Sequence, residues 1–237
     1  MITFSHLSWD SDFFGYKVAK IELDHCQSET ELAIFLHDLK EKGYKLIYGF
    51  VHPDDRVSNK AAGTLGQLVD EKVTYTTNII DENIEDQKKI NKYALAVPDL
   101  NLYRLSLESG EYSRFKKDKN IDGRFFIRLY QVWIEKSISG ELADDVLIYE
   151  HNNEIVGLVT LSCKKQIARI GLIAVDEKYR GNSIGSQLVD ACKKICINKR
   201  IQELDAVTQK DNSGACLFYE KCGFTVKKME NVYHFWQ

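Results

Sequence analysis

The sequence predicts an α/β fold in which a mixed sheet is flanked by helices. Strand patterns and helix patterns alternate over most of the 237 residues, and 44% of the residues are apolar, enough for a substantial core. Three successive strand patterns between residues 146 and 175 form a meander. The last of these strands runs into a glycine-containing loop and an amphipathic helix, a connection typical of α/β proteins.

The first elements of the chain form an N-terminal unit that reads β-α-β-α-β. A helical pattern covers residues 29–42, and the apolar run GYKLIYGFV at residues 43–51 predicts a strand after it. Residues 72–80 alternate between apolar and polar side chains and predict a further strand. The charged segment at residues 81–92 ends this unit, so we predict an N-terminal domain at residues 1–95.

The middle of the chain turns from helices to strands. Apolar residues recur at helical spacing between residues 113 and 140, which predicts two helices. Strands then follow at residues 146–151, 155–164 and 166–175. The residue pairs Asn152-Asn153 and Lys164-Lys165 are expected to form the tight turns between them.

The segment IGLIAVDEKYRGNSIGS at residues 170–186 predicts a binding site for a pyrophosphate group. Unpaired amides at the start of a helix carry a partial positive charge and hold phosphate without a metal. Gly181 and Gly185 allow a close approach of the backbone, and Arg180 adds charge. The segment lacks the Gly-Lys-Ser/Thr of a P-loop and the three glycines of a dinucleotide fingerprint. It therefore predicts another phosphate-bearing ligand.

A second motif, NSGACLFYEKCGF at residues 212–224, predicts a short helix that begins at Asn212 and ends before Gly223. Together, the R-G-x-x-I-G loop and N-x-x-A-x-x-x-Y-E-K-x-G-F resemble the acetyl-CoA site of the GNAT N-acetyltransferase superfamily. The resemblance implies a GNAT acyl-CoA N-acyltransferase fold with a reduced, GNAT-like N-terminal domain. Residues 96–237 would then form the catalytic domain that binds acetyl-CoA as cosubstrate.

The ends of the chain narrow the resemblance to the sugar branch of that superfamily. The start LSWDSDFFG at residues 7–15 and the segments TQKDN from residue 208 and YHFW from residue 233 are similar to dTDP-fucosamine (dTDP-4-amino-4,6-dideoxygalactose) acetyltransferases. These proteins transfer an acetyl group directly to the amine of a nucleotide-linked amino sugar. Two alternatives stay open: a GNAT enzyme for another amine, such as a polyamine, antibiotic or protein, and a noncatalytic acyl-CoA-binding regulatory module.

The resemblance implies roles for individual residues. Tyr219 would be the general acid for the coenzyme A thiolate, and the Val175 N–H would stabilise the oxyanion; as alternatives, both side chains could simply pack in the core. Asn212 would contact the pantetheine arm or serve only as a helix cap. The cofactor site would comprise Ile173, Ala174, Val175, Arg180, Gly181, Asn182, Ser183, Ile184, Gly185, Ser186, Asn212 and Tyr219.

The residues of the acceptor site are less clearly marked by motifs than those of the cofactor site. Trp9, Asp10, Thr208, Gln209 and Tyr233 are its predicted substrate-binding residues. No residue is marked out as general base; Glu150, His151, Glu154 and His234 are weak candidates, and a chain of water molecules is the alternative. Where the family's loop has a small residue, this chain has Ser183, whose hydroxyl could crowd or contact the phosphate.

Composition bears on the partners and the location. A net charge of −3 argues against a broad nucleic-acid surface. No run approaches the roughly 18 to 20 apolar residues that cross a bilayer, and the first residues do not resemble a secretion signal, so we expect a cytoplasmic protein without a membrane partner. The six cysteines form no C-x-x-C pair, which favours reduced thiols and no metal site. A homodimer is left open.

Overall fold

The computed structural model of the protein describes residues 2–24, 26–80 and 89–237. Most of the charged segment predicted to end the N-terminal unit, residues 81–88, lies outside the described residues. Within the described residues, strands and helices follow one another in the order β1 (Thr3–His6), α1 (Ser8–Phe14), β2 (Lys17–Glu22), α2 (Glu29–Glu41), β3 (Tyr44–Val51), α3 (Arg56–Leu65), β4 (Gln67–Asn78), β5 (Ile90–Lys92), α4 (Leu100–Ser109), α5 (Arg114–Lys117), α6 (Gly123–Ile138), β6 (Asp145–His151), β7 (Glu154–Lys164), β8 (Ile167–Val175), α7 (Ile184–Asn198), β9 (Glu203–Gln209), α8 (Ser213–Lys221) and β10 (Thr225–Trp236).

The described strands form one continuous sheet in the order β1-β2-β3-β10-β4-β9-β8-β7-β6-β5. The sheet is mixed, as predicted: β2 pairs with β3 and β8 pairs with β9 in parallel, and the other neighbours are antiparallel. The last strand of the chain, β10, lies between β3 and β4 of the N-terminal part. The division of the chain near residue 95 stays a prediction, and the two parts are interleaved in the sheet.

Helices cover both faces of the sheet. Side chains alternate between the faces along β10, so Tyr233 and Phe235 pack with α2 and α3 while Val232 packs on the opposite face. Helices α7 and α8 bury their apolar sides on the same face as α2 and α3, and α1, α4, α5 and α6 cover the other. The apolar sides of the amphipathic helices therefore pack on the sheet in two layers, one on each face.

Local signals explain most boundaries. Helix α2 begins after Ser28, whose hydroxyl accepts from the Glu31 N–H at 3.1 Å. Asn152 and Asn153 both have positive φ, 51° and 64°, as the predicted turn between β6 and β7 requires. The next turn lies one residue later than predicted, at residues 165–166. Helices α1 and α4 were not predicted.

None of the described helices has the length and apolar character needed to span a membrane.

Candidate active site

The site is built around a gap between the neighbouring strands β8 and β9. Their parallel pairing runs from Ile167 to Ile170 and then stops. Immediately beyond, β8 contains a bulge, since the step from Ile170 to Ile173 opposes the shorter step from Val159 to Leu161 in β7. A bulge bends the strand that carries the extra residue. The bend separates β8 from β9 and leaves one edge of β8 unpaired.

Two backbone amides of β8 point into this gap. The Asp176 N–H donates to the Val156 carbonyl of β7 at 2.9 Å. Because hydrogen bonding alternates along an antiparallel pair, the Ala174 N–H also faces β7, whereas the N–H groups of Val175 and Ile173 point the other way. The expected oxyanion donor, the Val175 N–H, is therefore directed into the gap. Ala174 does not offer its N–H to that side.

A cavity of about 630 Å³ passes through the gap. It is lined by Trp133 of α6 on one face of the sheet and by Tyr219 of α8 on the other, so it connects the two faces. Most of the predicted acceptor residues and several of the predicted cofactor residues line it. These are Trp9, Asp10, Ile173, Thr208, Gln209, Asn212 and Tyr219.

The loop at residues 180–186 lies beyond the C-terminal end of β8, outside the lining of the cavity. It leads into α7, and the first amides of that helix have no partner within the helix. Gly181 has φ +80° and Ser183 has φ +58°. The Arg180 guanidinium donates to the Val175 carbonyl at 2.9 Å and contacts the Glu108 carboxylate at 3.3 Å. These bonds hold Arg180 beside the end of the gap.

Two glycines mark places where backbone and side chains approach closely. A Cβ on Gly185 would lie 2.9 Å from the ring of Phe218, so α7 and α8 are in contact at the start of α7. A Cβ on Gly171 in the β8 bulge would lie 2.8 Å from the Thr160 hydroxyl, which accepts from the Leu172 N–H at 2.8 Å. Both contacts fix the elements on either side of the cavity.

Helix α8, which begins after Asn212, holds Tyr219 at the wall of the cavity. The side chain of Asn212 accepts from the Ala215 N–H at 3.1 Å and begins α8, as predicted, which leaves its amide NH₂ as a donor. The ring of Tyr219 stacks on Tyr75 with the centroids 5.6 Å apart. Burial raises the pKa of Tyr219 above the usual value. The hydroxyl therefore stays protonated at neutral pH, which a general acid requires.

Tyr233 lies elsewhere. It is buried on the face of the sheet covered by α2 and α3, and its hydroxyl donates to the Asn59 side chain at 3.1 Å. Sequence alternation places its neighbour His234 on the opposite face. The structure therefore brings four of the five predicted acceptor residues to the cavity. Tyr233 is in the core instead, because the register of β10 places its ring on the other face of the sheet.

Charged residues that the sequence did not single out line the cavity as well. Asp70 of β4 is only 5% exposed, and burial raises its pKa to about 6 against the opposing effect of Arg114. The Arg114 guanidinium lies 4.7 Å from the ring centroid of Tyr48, and its Nε has no hydrogen-bond partner among the described residues. A carboxylate within a strand of buried residues was the available signal for Asp70. Arg114 lay in a segment without a motif.

The weak candidates for a general base do not line the cavity. His234 is buried, and its Nδ1 lies 2.6 Å from the Asp118 carboxylate. Burial lowers the pKa of His234 to about 4 even though the Asp118 hydrogen bond acts to raise it. Glu150, His151 and Glu154 lie at the turn between β6 and β7. None of these four residues is placed to face an acceptor in the cavity.

Comparisons with known proteins identify the architecture. Residues 111–224 match the acetyltransferase (GNAT) family. A streptothricin acetyltransferase of Escherichia coli is 33% identical over 76 residues, which cover 32% of this chain and 44% of that protein. The chain thus spans less than half the length of this curated relative.

Solved structures show a likeness over nearly the whole chain. A GCN5-related N-acetyltransferase from Sphaerobacter thermophilus has a TM-score of 0.62 at 14% identity, covering 98% of this chain and 76% of that one. A GCN5-related glucosamine N-acetyltransferase region of a fungal multi-domain β-N-acetylglucosaminidase has a TM-score of 0.56 at 14% identity, covering 93% of this chain and 30% of that one. The fold is the GNAT fold, as the motifs predicted.

Proposed function

We propose that this protein, which has the GNAT fold and matches the acetyltransferase (GNAT) family over residues 111–224, is an acetyl-CoA-dependent N-acetyltransferase for a small-molecule amine. The observation that carries the proposal is the cavity that passes through the gap between β8 and β9. On one side of the gap lies Tyr219, and on the other lies a chamber with charged and aromatic walls. Donor and acceptor can therefore meet at the gap from opposite faces of the sheet.

The residues present fit acetyl-CoA, which supplies an activated acetyl thioester. The loop at residues 180–186 and the first amides of α7 would hold the pyrophosphate, with Arg180 adding charge. The unpaired edge of β8 at Ile173 and Val175 offers N–H donors to the pantetheine arm and to the thioester oxygen. Asn212 lines the same cavity, and its amide NH₂ can donate.

The reaction would be direct transfer. The Val175 N–H stabilises the negative charge that develops on the thioester oxygen as the amine nitrogen attacks. Tyr219 donates its proton to the departing sulfur, and the nitrogen gives up a proton to restore the phenol. A tyrosine hydroxyl, with an ordinary pKa of about 10, suits a thiol whose pKa is about 8 to 9. No covalent enzyme intermediate is required.

The chamber favours an acceptor that carries both an amine and an anionic group. Its walls include the carboxylates of Asp10 and Asp70 and the guanidinium of Arg114, whose Nε lacks a partner within residues 2–24, 26–80 and 89–237. Trp9 is 44% exposed and presents an aromatic face for stacking. A volume of about 630 Å³ suits a ligand of nucleotide-sugar size. We therefore propose a nucleotide-linked amino sugar of the dTDP-4-amino-4,6-dideoxyhexose type.

The test is release of coenzyme A thiol from acetyl-CoA with a panel of acceptors. The panel contains dTDP- and UDP-linked amino sugars, spermidine, streptothricin and a lysine peptide. We expect turnover with a 4-amino sugar nucleotide. Turnover with another amine alone would keep the transferase and refute the sugar assignment. Tight acetyl-CoA binding with no turnover on any acceptor would favour the regulatory module instead.

A pair of tyrosine variants tests the proton donor. Tyr219→Phe is expected to retain acetyl-CoA binding and to lose about 10²- to 10⁴-fold in kcat, the usual contribution of a general acid. Tyr75→Phe is the matched control, since it removes a hydroxyl from the same ring stack, one that donates to Glu220 at 3.0 Å. Equal activity in the two variants would refute the role of Tyr219.

A cytoplasmic location and a homodimer are further proposals. Light scattering tests the homodimer.

A further inference from the structure

We propose that Asp70 is the residue that binds the ammonium group of the acceptor and removes its proton. The inference rests on the proposed acetyl transfer and adds the general base that the sequence left unassigned. Asp70 lies in the wall of the cavity, and no described residue donates a hydrogen bond to its Oδ1.

The backbone of β4 directs Asp70 towards the cavity. Val232 pairs with Asp70 and Tyr233 pairs with Leu68, so β4 has an extra residue, Val69, at that point. This bulge bends the strand and changes the direction of its side chains, and such bulges are common beside active sites. Asp70 consequently shares the face of Val232, on which α5 and α6 cover the chamber.

One oxygen of Asp70 has no partner within the part of the chain that the structure describes. Asp70 is 5% exposed, and its buried Oδ1 makes no hydrogen bond to any described residue. A buried carboxylate oxygen without a donor is strongly unfavourable, so its persistence in a cavity wall indicates a ligand that donates. The other cavity carboxylate, Asp10, differs because it accepts a hydrogen bond from the Tyr48 hydroxyl at 3.3 Å.

The charged groups around Asp70 leave it available to an ammonium group. Lys72, on the same strand, pairs with Glu230 of β10 at 3.2 Å. Lys117 of α5 pairs with Asp211 at 2.6 Å. The Arg114 guanidinium lies over the rings of Tyr48 and Phe115. Gln209 of β9 and Tyr130 of α6 line the cavity together with Asp70.

The titration of Asp70 suits a base for an amine at neutral pH. Burial raises its pKa to about 6, with the nearby cations and Gln209 acting in the opposite direction. Above pH 6 the carboxylate is charged and accepts one proton from R–NH₃⁺, giving R–NH₂ and a neutral carboxyl group. The amine lone pair then forms the N–C bond as the C–S bond breaks. Asp70 releases its proton to water, so the reaction yields amide, thiol and one proton.

The experiment compares the pH dependence of kcat/KM in the wild type, Asp70→Asn and Glu71→Gln. Glu71 is the matched control, because it is the next residue of the strand and pairs with Lys210 at 2.8 Å outside the cavity. The wild type should rise with pH to a plateau above about pH 6. Asp70→Asn should lose about 10²- to 10⁴-fold near pH 7 and continue to rise towards the pKa of the free amine. Glu71→Gln should follow the wild type.

Acetyl-CoA binding, measured by calorimetry, should be unchanged in Asp70→Asn. This measurement separates loss of the base from loss of the fold. If the wild type turns over and Asp70→Asn keeps its rate within about threefold with the same acid limb, the inference is refuted while the transferase stands. If the wild type acetylates no amine in the panel, the proposed function fails and the role of Asp70 fails with it.

Discussion

At the scale of single residues, Ser183 is strained in the loop that leads into α7. Its φ of +58° lies in the left-handed region, where a side chain is strained and glycine is not. Its side chain makes no capping hydrogen bond to α7 that would offset this strain. The serine therefore lowers the stability of the loop.

Ser183→Gly should stabilise the protein by about 1 kcal/mol, since glycine adopts this conformation without strain. The variant should also bind acetyl-CoA at least as tightly as the wild type, because the amides keep their positions. Urea unfolding and calorimetric titration measure the two effects. Weaker acetyl-CoA binding would show instead that the Ser183 hydroxyl contacts the phosphate.

Asp70 also links the stability of the fold to pH. Its folded pKa of about 6 exceeds the usual Asp value of 3.8, so the folded state binds the Asp70 proton more tightly than the unfolded state does. The contribution of this proton to the free energy of unfolding is complete below pH 3.8 and is lost as the pH rises to about 6. Asp70→Asn should consequently be more stable than the wild type by about 1 to 3 kcal/mol at pH 8, and by much less at pH 4. Urea unfolding of both proteins at the two pH values measures this difference. A variant that is less stable at pH 8 would contradict the raised pKa.

At the scale of elements, the bulge in β8 is what separates β8 from β9. Gly171 sits in the bulge, and a Cβ there would lie 2.8 Å from the Thr160 hydroxyl that accepts from the Leu172 N–H. Gly171→Ala should force that hydroxyl to move, cost about 1 to 3 kcal/mol of stability and reduce turnover through a displaced Val175 amide. Thermal unfolding and steady-state kinetics measure both effects. Gly123→Ala, at the start of α6 with open space around it and without a positive φ, is the control for an exposed glycine.

The sequence predicted the elements that carry local signals. The helix that begins after Asn212 and the asparagine turn depend on residues close in the chain, and the structure confirms both. The loop at residues 180–186 leads into a helix, as predicted, and its binding of a pyrophosphate stays a prediction. Helix α1 was missed because its seven residues are too few for a helical period to emerge. Asp70 was missed because its importance depends on β9, α5 and α6, which approach it only in the folded sheet. Tyr233 was misplaced for a similar reason, since only strand pairing fixes which face a side chain occupies.

At the scale of the whole molecule, the sheet makes the two parts of the chain depend on each other. Strand β4 pairs with β9 on one side and with β10 on the other, and β10 also pairs with β3. The cavity takes Asp10 and Asp70 from the N-terminal part and Tyr219 from the C-terminal part. A site assembled in this way exists only when both parts fold together.

Residues 96–237 expressed alone should therefore not fold into a stable domain. Without β3 and β4, the twelve residues of β10 lose both neighbouring strands, and β9 becomes an exposed edge prone to aggregation. We expect the fragment to be insoluble or to unfold without a cooperative transition. Coexpression with residues 1–95 should restore a soluble complex that binds acetyl-CoA, because the strands can pair between chains. A lone fragment with a sharp thermal transition and acetyl-CoA binding would show instead that the division near residue 95 separates two independent domains.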